Sequence, residues 1–456
     1  MSRRAASIEP EDGECSPSPS AMQQAKTAAK PWHGIFAVSA MAKGIITWVE
    51  GLKGLSGIVI VFNHLRMCYW PESHDAVLED GHFYLVQLPF VSLICAGNLA
   101  VRLYFVLSGF SLCYRPLQLL EENRKPLVYQ RTSRSLQSRF WRLLVPSAVA
   151  SAVSLVMAQL GAFTHSKTVC RAFLDTTPVA TGVAADSWLW IKDTFLNVWI
   201  VGKHHFHDSL WCMKILLVGS YLMYLLVVVR VEARLSYWLW TAIGCALLSP
   251  AVASIGATDL AGFVFGGIVA FVEVDLAAAK PSTTPLLKRT TCYAAWFAVF
   301  ILSLLLGSYP SGEANAPWCS WMYTLVRSVM GIENARQAMV WWMNVSAISI
   351  CICISHLPYV QNALSLPCIT YLGKTSFALF LLHPLILRSL GGHLFSTLSH
   401  WHGTRYDIAV LIMAAIVMVL SLIASHFWNI YVEGKAHKFV EKHLILESDA
   451  GPSLVR

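Results

Sequence analysis

The sequence predicts an all-α, polytopic membrane protein of about ten transmembrane helices with one further interfacial segment. Three observations lead there. Only 13% of the 456 residues are charged, about half of the ~25% found in soluble domains, which is too few to cover a water-facing surface. The chain is 56% hydrophobic, with a mean hydropathy of +0.55. Its apolar residues also fall in long continuous runs rather than alternating. In lipid only helices and closed barrels satisfy every backbone polar group, and continuous runs select helices.

Ten runs are long enough to span about 30 Å of hydrocarbon, near 46–67, 90–113, 141–162, 209–230, 236–257, 260–278, 291–308, 338–356, 369–388 and 407–429. The aromatic stretch from Trp188 to Val201 carries Lys192 and Asp193 in its middle, so it is expected to lie in the interface or re-enter the bilayer. The first thirty residues are polar, with Pro10, Pro17 and Pro19, and lack the pattern of a cleavable signal. The expected organisation is a disordered cytosolic tail over 1–43, a transmembrane domain over 44–432 and a cytosolic C-terminal tail over 433–456.

Orientation follows from the loops. Arg124, Lys125, Arg131, Arg134, Arg139 and Arg142 lie between the second and third runs. Arg230 with Arg234, Lys280 with Lys288 and Arg289, and Lys435, Lys438 and Lys442 fall on the same side when ten spans are threaded in order. The first opposite loop holds Glu72, Asp75, Glu79 and Asp80. Positive residues mark the cytosolic side, so both termini are expected there. This distribution accounts for the net charge of +8 and speaks against a nucleic-acid surface.

The twelve cysteines lie mostly within apolar runs and read as small packing residues. Cys351 and Cys353 stand about 200° apart on a helix and cannot share a metal. Cys68, Cys170 and Cys319 fall near external loops, where a disulfide could form.

Two features carry chemistry. Arg139 and Arg142 stand three apart at the start of the third run, on one helix face. Guanidinium forks bind phosphate bidentately and keep their proton, so the pair suits a phosphorylated donor, a lipid headgroup, or topology alone. Arg131 and Arg134 repeat the spacing. His64 lies deep in the first run, where an ionisable residue is costly and tends to mark function; a neutral imidazole there can take a proton from a hydroxyl. Glu50 is about 21 Å away along the same helix and Asn63 projects about 100° aside. A partner for His64 must therefore come from another span.

His204, His205, His207 and Asp208 have the residue types of a metal site but read as the polar edge of an external loop, and no metal is expected. Gly262, Gly266 and Gly267 read as positions of close helix packing.

Taken together, these segments resemble the acyltransferase 3 family of integral membrane acyltransferases. Trp48-Val-Glu50-Gly-Leu-Lys53-Gly-Leu-Ser to Phe62-Asn-His64 is similar to the family's first-helix signature, and Phe105-Val-Leu-Ser108-Gly-Phe110 to its second. Arg139-Phe-Trp-Arg142-Leu-Leu-Val-Pro looks like its Arg-x-x-Arg element, Ser376-Phe-Ala-Leu-Phe-Leu-Leu-His383-Pro384 like its late-helix motif, and Tyr431-Val-Glu433 like the end of its last span. The resemblance runs in family order over nearly the whole chain.

It implies an acyl-CoA donor, acetyl-CoA foremost, with His64 catalytic and Arg139 and Arg142 holding the donor phosphates. Supporting roles are expected at Glu50, Lys53, Ser108, Asp208, Trp211 and His383. Two departures stand out: Lys53 replaces the family's arginine, and Leu216 replaces a glutamate that many relatives carry. The segments around Leu210-Trp211 and Gly219-Ser220 look most like fungal members, which implies a small lipophilic hydroxylated acceptor of terpenoid or polyketide type, met in the endoplasmic reticulum membrane. The alternatives are a glycan O-acetyltransferase, an inactive relative, or a transporter, which would show inverted repeats that this chain lacks. Trp401-His402-Gly403 is similar to the histidine motif of another class, the membrane-bound O-acyltransferases, but stands in a loop.

Overall fold

The computed structural model of this chain describes residues 46–70, 73, 84–166, 176–235, 237–239, 241–244, 257–278, 286–310, 318–398 and 404–443. The expected N-terminal tail, most of the run at 236–257, Cys170, the Trp401-His402-Gly403 segment and the last thirteen residues lie outside them.

Among the described residues the chain is helical without strands. In order, the helices are α1 (Thr47–Tyr69), α2 (Gly97–Glu121), α3 (Lys125–Gln159), α4 (Val183–Lys192), α5 (Cys212–Glu232), α6 (Ala257–Ala278), α7 (Leu286–Gly307), α8 (Ser320–Met330), α9 (Ala335–Ser355), α10 (Pro358–Leu364), α11 (Pro367–Ile386), α12 (Gly392–Leu398), α13 (Thr404–Trp428) and α14 (Gly434–His443). Five helical stretches among the described residues are long and apolar enough to cross a membrane: Lys125–Gln159, Asp208–Glu232, Ala335–Ser355, Pro367–Thr397 and Arg405–His443. The protein is an integral membrane protein.

Residues on α13 show what lies outside the bundle. Ile408, Leu411, Ile412, Ile416, Val419, Leu420, Ile423 and Phe427 are all exposed, while Val410, Met413, Ala414 and Val417 are buried. Apolar residues thus cover both faces of one helix, an arrangement stable against lipid and costly against water.

Two seams of glycine bring helices into backbone contact. Between α2 and α6, a Cβ on Gly109 would stand 1.9 Å from the Phe263 carbonyl oxygen, and one on Gly266 would stand 2.0 Å from that of Val106. Between α1 and α11, a Cβ on Gly54 would meet the Gly373 nitrogen at 2.6 Å and one on Gly373 the Glu50 oxygen at 2.0 Å, while one on Gly51 would meet the oxygen of Leu364 at the end of α10 at 1.9 Å. Without side chains in the way, backbones pack at van der Waals distance. Contacts along the second seam rise in step on both helices, so α1 and α11 run parallel.

Several of the basic residues expected on one side meet acidic partners on neighbouring helices. Arg230 pairs with Glu121 at 3.9 Å, Lys125 with Glu232 at 3.9 Å, and Arg142 with Glu441 of α14 at 3.1 Å. The Trp188–Val201 stretch continues α4 through a π-turn (Asp193–Asn197) into Val198–Ile200. Asp193 is buried there and accepts from the His205 amide at 2.7 Å and from Asn197, which explains a charge in an aromatic segment. Trp188, Phe195 and Ile200 face outward. Cys68 is disulfide-bonded, Cys319 is buried, and Cys351 and Cys353 are buried free thiols.

Candidate active site

The partner missing from the first helix is supplied by α11. His64 Nδ1 lies 2.7 Å from His383 Nε2, and the rings stack with centroids 4.9 Å apart. His383 Nδ1 in turn lies 2.8 Å from the Leu379 carbonyl oxygen. That oxygen can only accept, so His383 Nδ1 carries the hydrogen. His383 Nε2 then accepts from His64 Nδ1–H, and the lone pair of a neutral His64 is placed on Nε2. One backbone carbonyl thus sets both tautomers.

The register of this pair follows from the packing below it. Gly51, Gly54 and Gly57 recur at three-residue spacing on α1 and form the face on which α11 sits. Ten residues after Gly373, α11 presents His383, fully buried. Pro384 follows at once; it has no N–H for the carbonyl four residues back, and the helix loosens into a π-turn at Leu387–Gly391. π-Turns inside helices recur at functional sites.

A charged network backs the imidazoles. Arg388, buried in that π-turn, donates to Asp208 at 2.5 Å and to Thr176 Oγ1 at 3.1 Å. Asp208 and Arg388 are the charged groups close enough to act on His64. His207 donates Nε2–H to the Leu381 carbonyl at 2.8 Å. These positions correct one expectation. His204 and His207 are buried rather than forming a polar loop edge, and His204 contacts Thr194 Oγ1 at 3.1 Å and accepts from the Phe206 amide at 3.1 Å. Asp208 Oδ2 accepts from Arg388 and from Thr176 Oγ1. Among the described residues no histidine, cysteine, aspartate and glutamate group has metal-binding geometry.

His64 lines a cavity of about 560 Å³, together with Asn98, Arg102, Ser209, Trp211 and Arg336. Trp211 is 37% exposed, and it leads into α5. Further along α5, Ser220 receives the Nε–H of Arg139 at 2.8 Å. Eleven residues separate Ser220 from Ser209, about 16 Å along the helix. Arg142 does not share Arg139's partner, being paired with Glu441, although the two guanidinium groups remain electrostatic neighbours. Leu216, between Ser209 and Ser220, packs on the apolar core, and its carbonyl accepts from Ser220.

Other expected supporting residues stand apart from the histidines. Lys53 donates to Glu50 at 2.9 Å and to Ser111 at 3.0 Å, joining α1 to α2 near the start of α1. Ser108 is half-buried in α2. Arg388 and Arg102 belong to no quoted motif; their only signal in the sequence is a charge inside an apolar run.

A membrane-embedded helical bundle with a paired-imidazole site beside a cavity is therefore the class of protein defined by this geometry. The chain belongs to the acyltransferase 3 family, whose acyltransferase domain matches residues 46–426. It is similar to the O-acetyltransferase PaAT-1 of Phomopsis amygdali, with 25% identity over 433 residues, covering 85% of this chain and 82% of that protein. No solved structure matches it.

Proposed function

We propose that the protein is a membrane O-acyltransferase that moves an acyl group, acetyl foremost, from acyl-CoA to a hydroxyl of a small lipophilic acceptor of secondary metabolism. The observation that carries this reading is the His64–His383 pair, with the basic nitrogen of His64 set by the Leu379 carbonyl, at the wall of a cavity of about 560 Å³. The family membership makes acyl transfer the reaction, and the relative's name makes acetyl the first group to try.

The chemistry follows from the tautomers. The acceptor O–H gives its proton to His64 Nε2 as its oxygen attacks the thioester carbonyl. The carbon–sulfur bond breaks, and the proton passes from His64 to the departing thiolate, leaving an ester and free coenzyme A. As His64 becomes an imidazolium, its Nδ1–H remains bonded to His383 and the Asp208 carboxylate offsets the new charge. His383 is thus a positioning residue and Asp208 an electrostatic one.

Arg139 and Arg142 are proposed to hold the donor phosphates. Ser220 is a neutral partner for Arg139, and the Arg142–Glu441 pair is exposed; such a pair is worth roughly 0–1 kcal/mol, so a phosphate can replace it. A flexible thioester arm would then cover the ~16 Å between Ser220 and Ser209. With about ten spans, both termini would be cytosolic, and the endoplasmic reticulum is the proposed membrane.

Extracts of cells with and without the intact gene test the reading. The expected result is loss of an acylated product and accumulation of a species lighter by one acyl unit. Identical profiles, together with no acyl transfer by membranes supplied with acetyl-CoA and those extracts, would overturn it.

A further inference from the structure

The His64 cavity has a second chemical feature, on the wall formed by α2 and α9. Arg102 is buried at 8% exposure in α2 and lines the cavity, and Arg336, exposed in the first turn of α9, lines it as well. The two guanidinium groups are near enough to act on each other electrostatically. Only one of them is paired: Arg102 Nε stands 3.5 Å from Asp259 Oδ1, and among the described residues no carboxylate lies within ion-pairing distance of Arg336. The cavity wall thus carries one positive charge in excess.

The rest of Arg102's contacts leave it a donor to spare. Its Nη1 donates to the backbone oxygen and Oδ1 of Asn98 at 3.2 and 3.3 Å. Its Nη2 makes no hydrogen bond within the described residues, and its buried Nε lacks one too. The ion pair with Asp259 leaves that Nε–H without a well-formed hydrogen bond, and an unmade hydrogen bond at a buried donor costs about 1–3 kcal/mol. The helix end offers no competing explanation, because Asn334 caps α9 by accepting from the amides of Arg336 and Gln337 at 2.9 and 3.3 Å. Any anion here is recognised by side chains.

The geometry points to an anion subsite formed by Arg102 and Arg336 inside the His64 chamber, which takes a carboxylate or phosphate group of one of the two reactants. Arg102, fixed by Asp259 and Asn98, is the rigid half of the subsite; Arg336, on an exposed helix start, is the adjustable half. A bound anion would anchor one end of a reactant while the rest extends along the cavity to His64. The inference rests on the reading of that cavity as the reaction chamber. It adds a chemical class to the substrates: an acceptor with an acidic group, or a donor whose phosphates lie here and not at Arg139.

The test uses the full chain purified in detergent, with coenzyme A and benzoate as separate probes, read by the ligand-dependent shift in melting temperature. The expected result is that at least one probe stabilises the wild type, that Arg336→Gln weakens its apparent affinity about tenfold, and that Arg336→Lys keeps most of it. Loss of coenzyme A binding alone assigns the subsite to donor phosphate, and loss of benzoate binding alone to an acidic acceptor. Unchanged affinity of Arg336→Gln for both probes, or no binding of either by the wild type, overturns the proposal. His64→Ala should bind both probes as the wild type does, so failure of the catalytic reading, seen as turnover by that variant, is registered separately.

Discussion

The histidine end and the arginine end of the proposed site are built on opposite plans. Around His64 the bonds run between side chains and backbone of the bundle itself: a carbonyl fixes His383, His383 fixes His64, and Arg388 holds Asp208 nearby. Around Arg139 and Arg142 the partners are a serine hydroxyl and an exposed glutamate on another helix. The first arrangement is preorganised and costs nothing to assemble at the moment of reaction. The second is exchangeable, as a site that must admit and release a phosphorylated carrier has to be. The difference separates the two kinds of loss that mutation should cause, in turnover at one end and in donor binding at the other.

The largest effect is expected from His64→Ala, which removes the base: kcat for acyl transfer should fall about 10²- to 10⁴-fold while coenzyme A affinity stays within twofold or so of the wild type. Equal losses in turnover and donor affinity would erase the contrast between the two ends. His383→Ala should lower kcat about 10- to 100-fold with little change in KM, and His383→Gln, whose amide oxygen can accept from His64 Nδ1–H, should recover part of it. A purely structural role would show no such recovery.

Gly373→Ala sharpens the comparison from below the site. Its Cβ would be placed 2.0 Å from the Glu50 oxygen, so α1 and α11 must separate. Thermal unfolding should register a destabilisation of about 1–3 kcal/mol, and activity should fall because the His64–His383 register moves with it. Wild-type activity in that variant would show that the seam does not set the pair. At the other end, Arg139→Gln should raise KM for acyl-CoA about tenfold with kcat little changed in initial-rate assays. The smallest effect is expected from Glu441→Gln, which frees Arg142: stability should change by less than about 1 kcal/mol, and donor affinity should hold or tighten slightly in a titration.

Much of this was legible in the sequence, and particular residues show where legibility stopped. The helical membrane class, the position of His64 within a helix and the need for a partner from elsewhere follow from run length, charge and helical rise. His383 stood in a motif, but its contact with His64 lies 319 positions away in the chain and is fixed by backbone packing at Gly51, Gly54 and Gly373, which no local pattern encodes. The pairing of Asp208 with Arg388 was hidden for the same reason. His204 and His207 read as the polar edge of a loop; they do lie in a loop, but the fold buries them and gives His207 a carbonyl partner and His204 a hydroxyl partner. Arg139 and Arg142 do share a helix, as their spacing implies, but neighbours on α5 and α14 draw them to different partners.

A structure with a non-hydrolysable acyl-CoA thioether tests the central claim most directly. The expected result places the acyl carbon in the cavity beside His64 Nε2, close enough that an acceptor oxygen between them would sit about 3–3.5 Å from each. An acyl group held elsewhere, with Trp211 and His64 uncontacted, would contradict it.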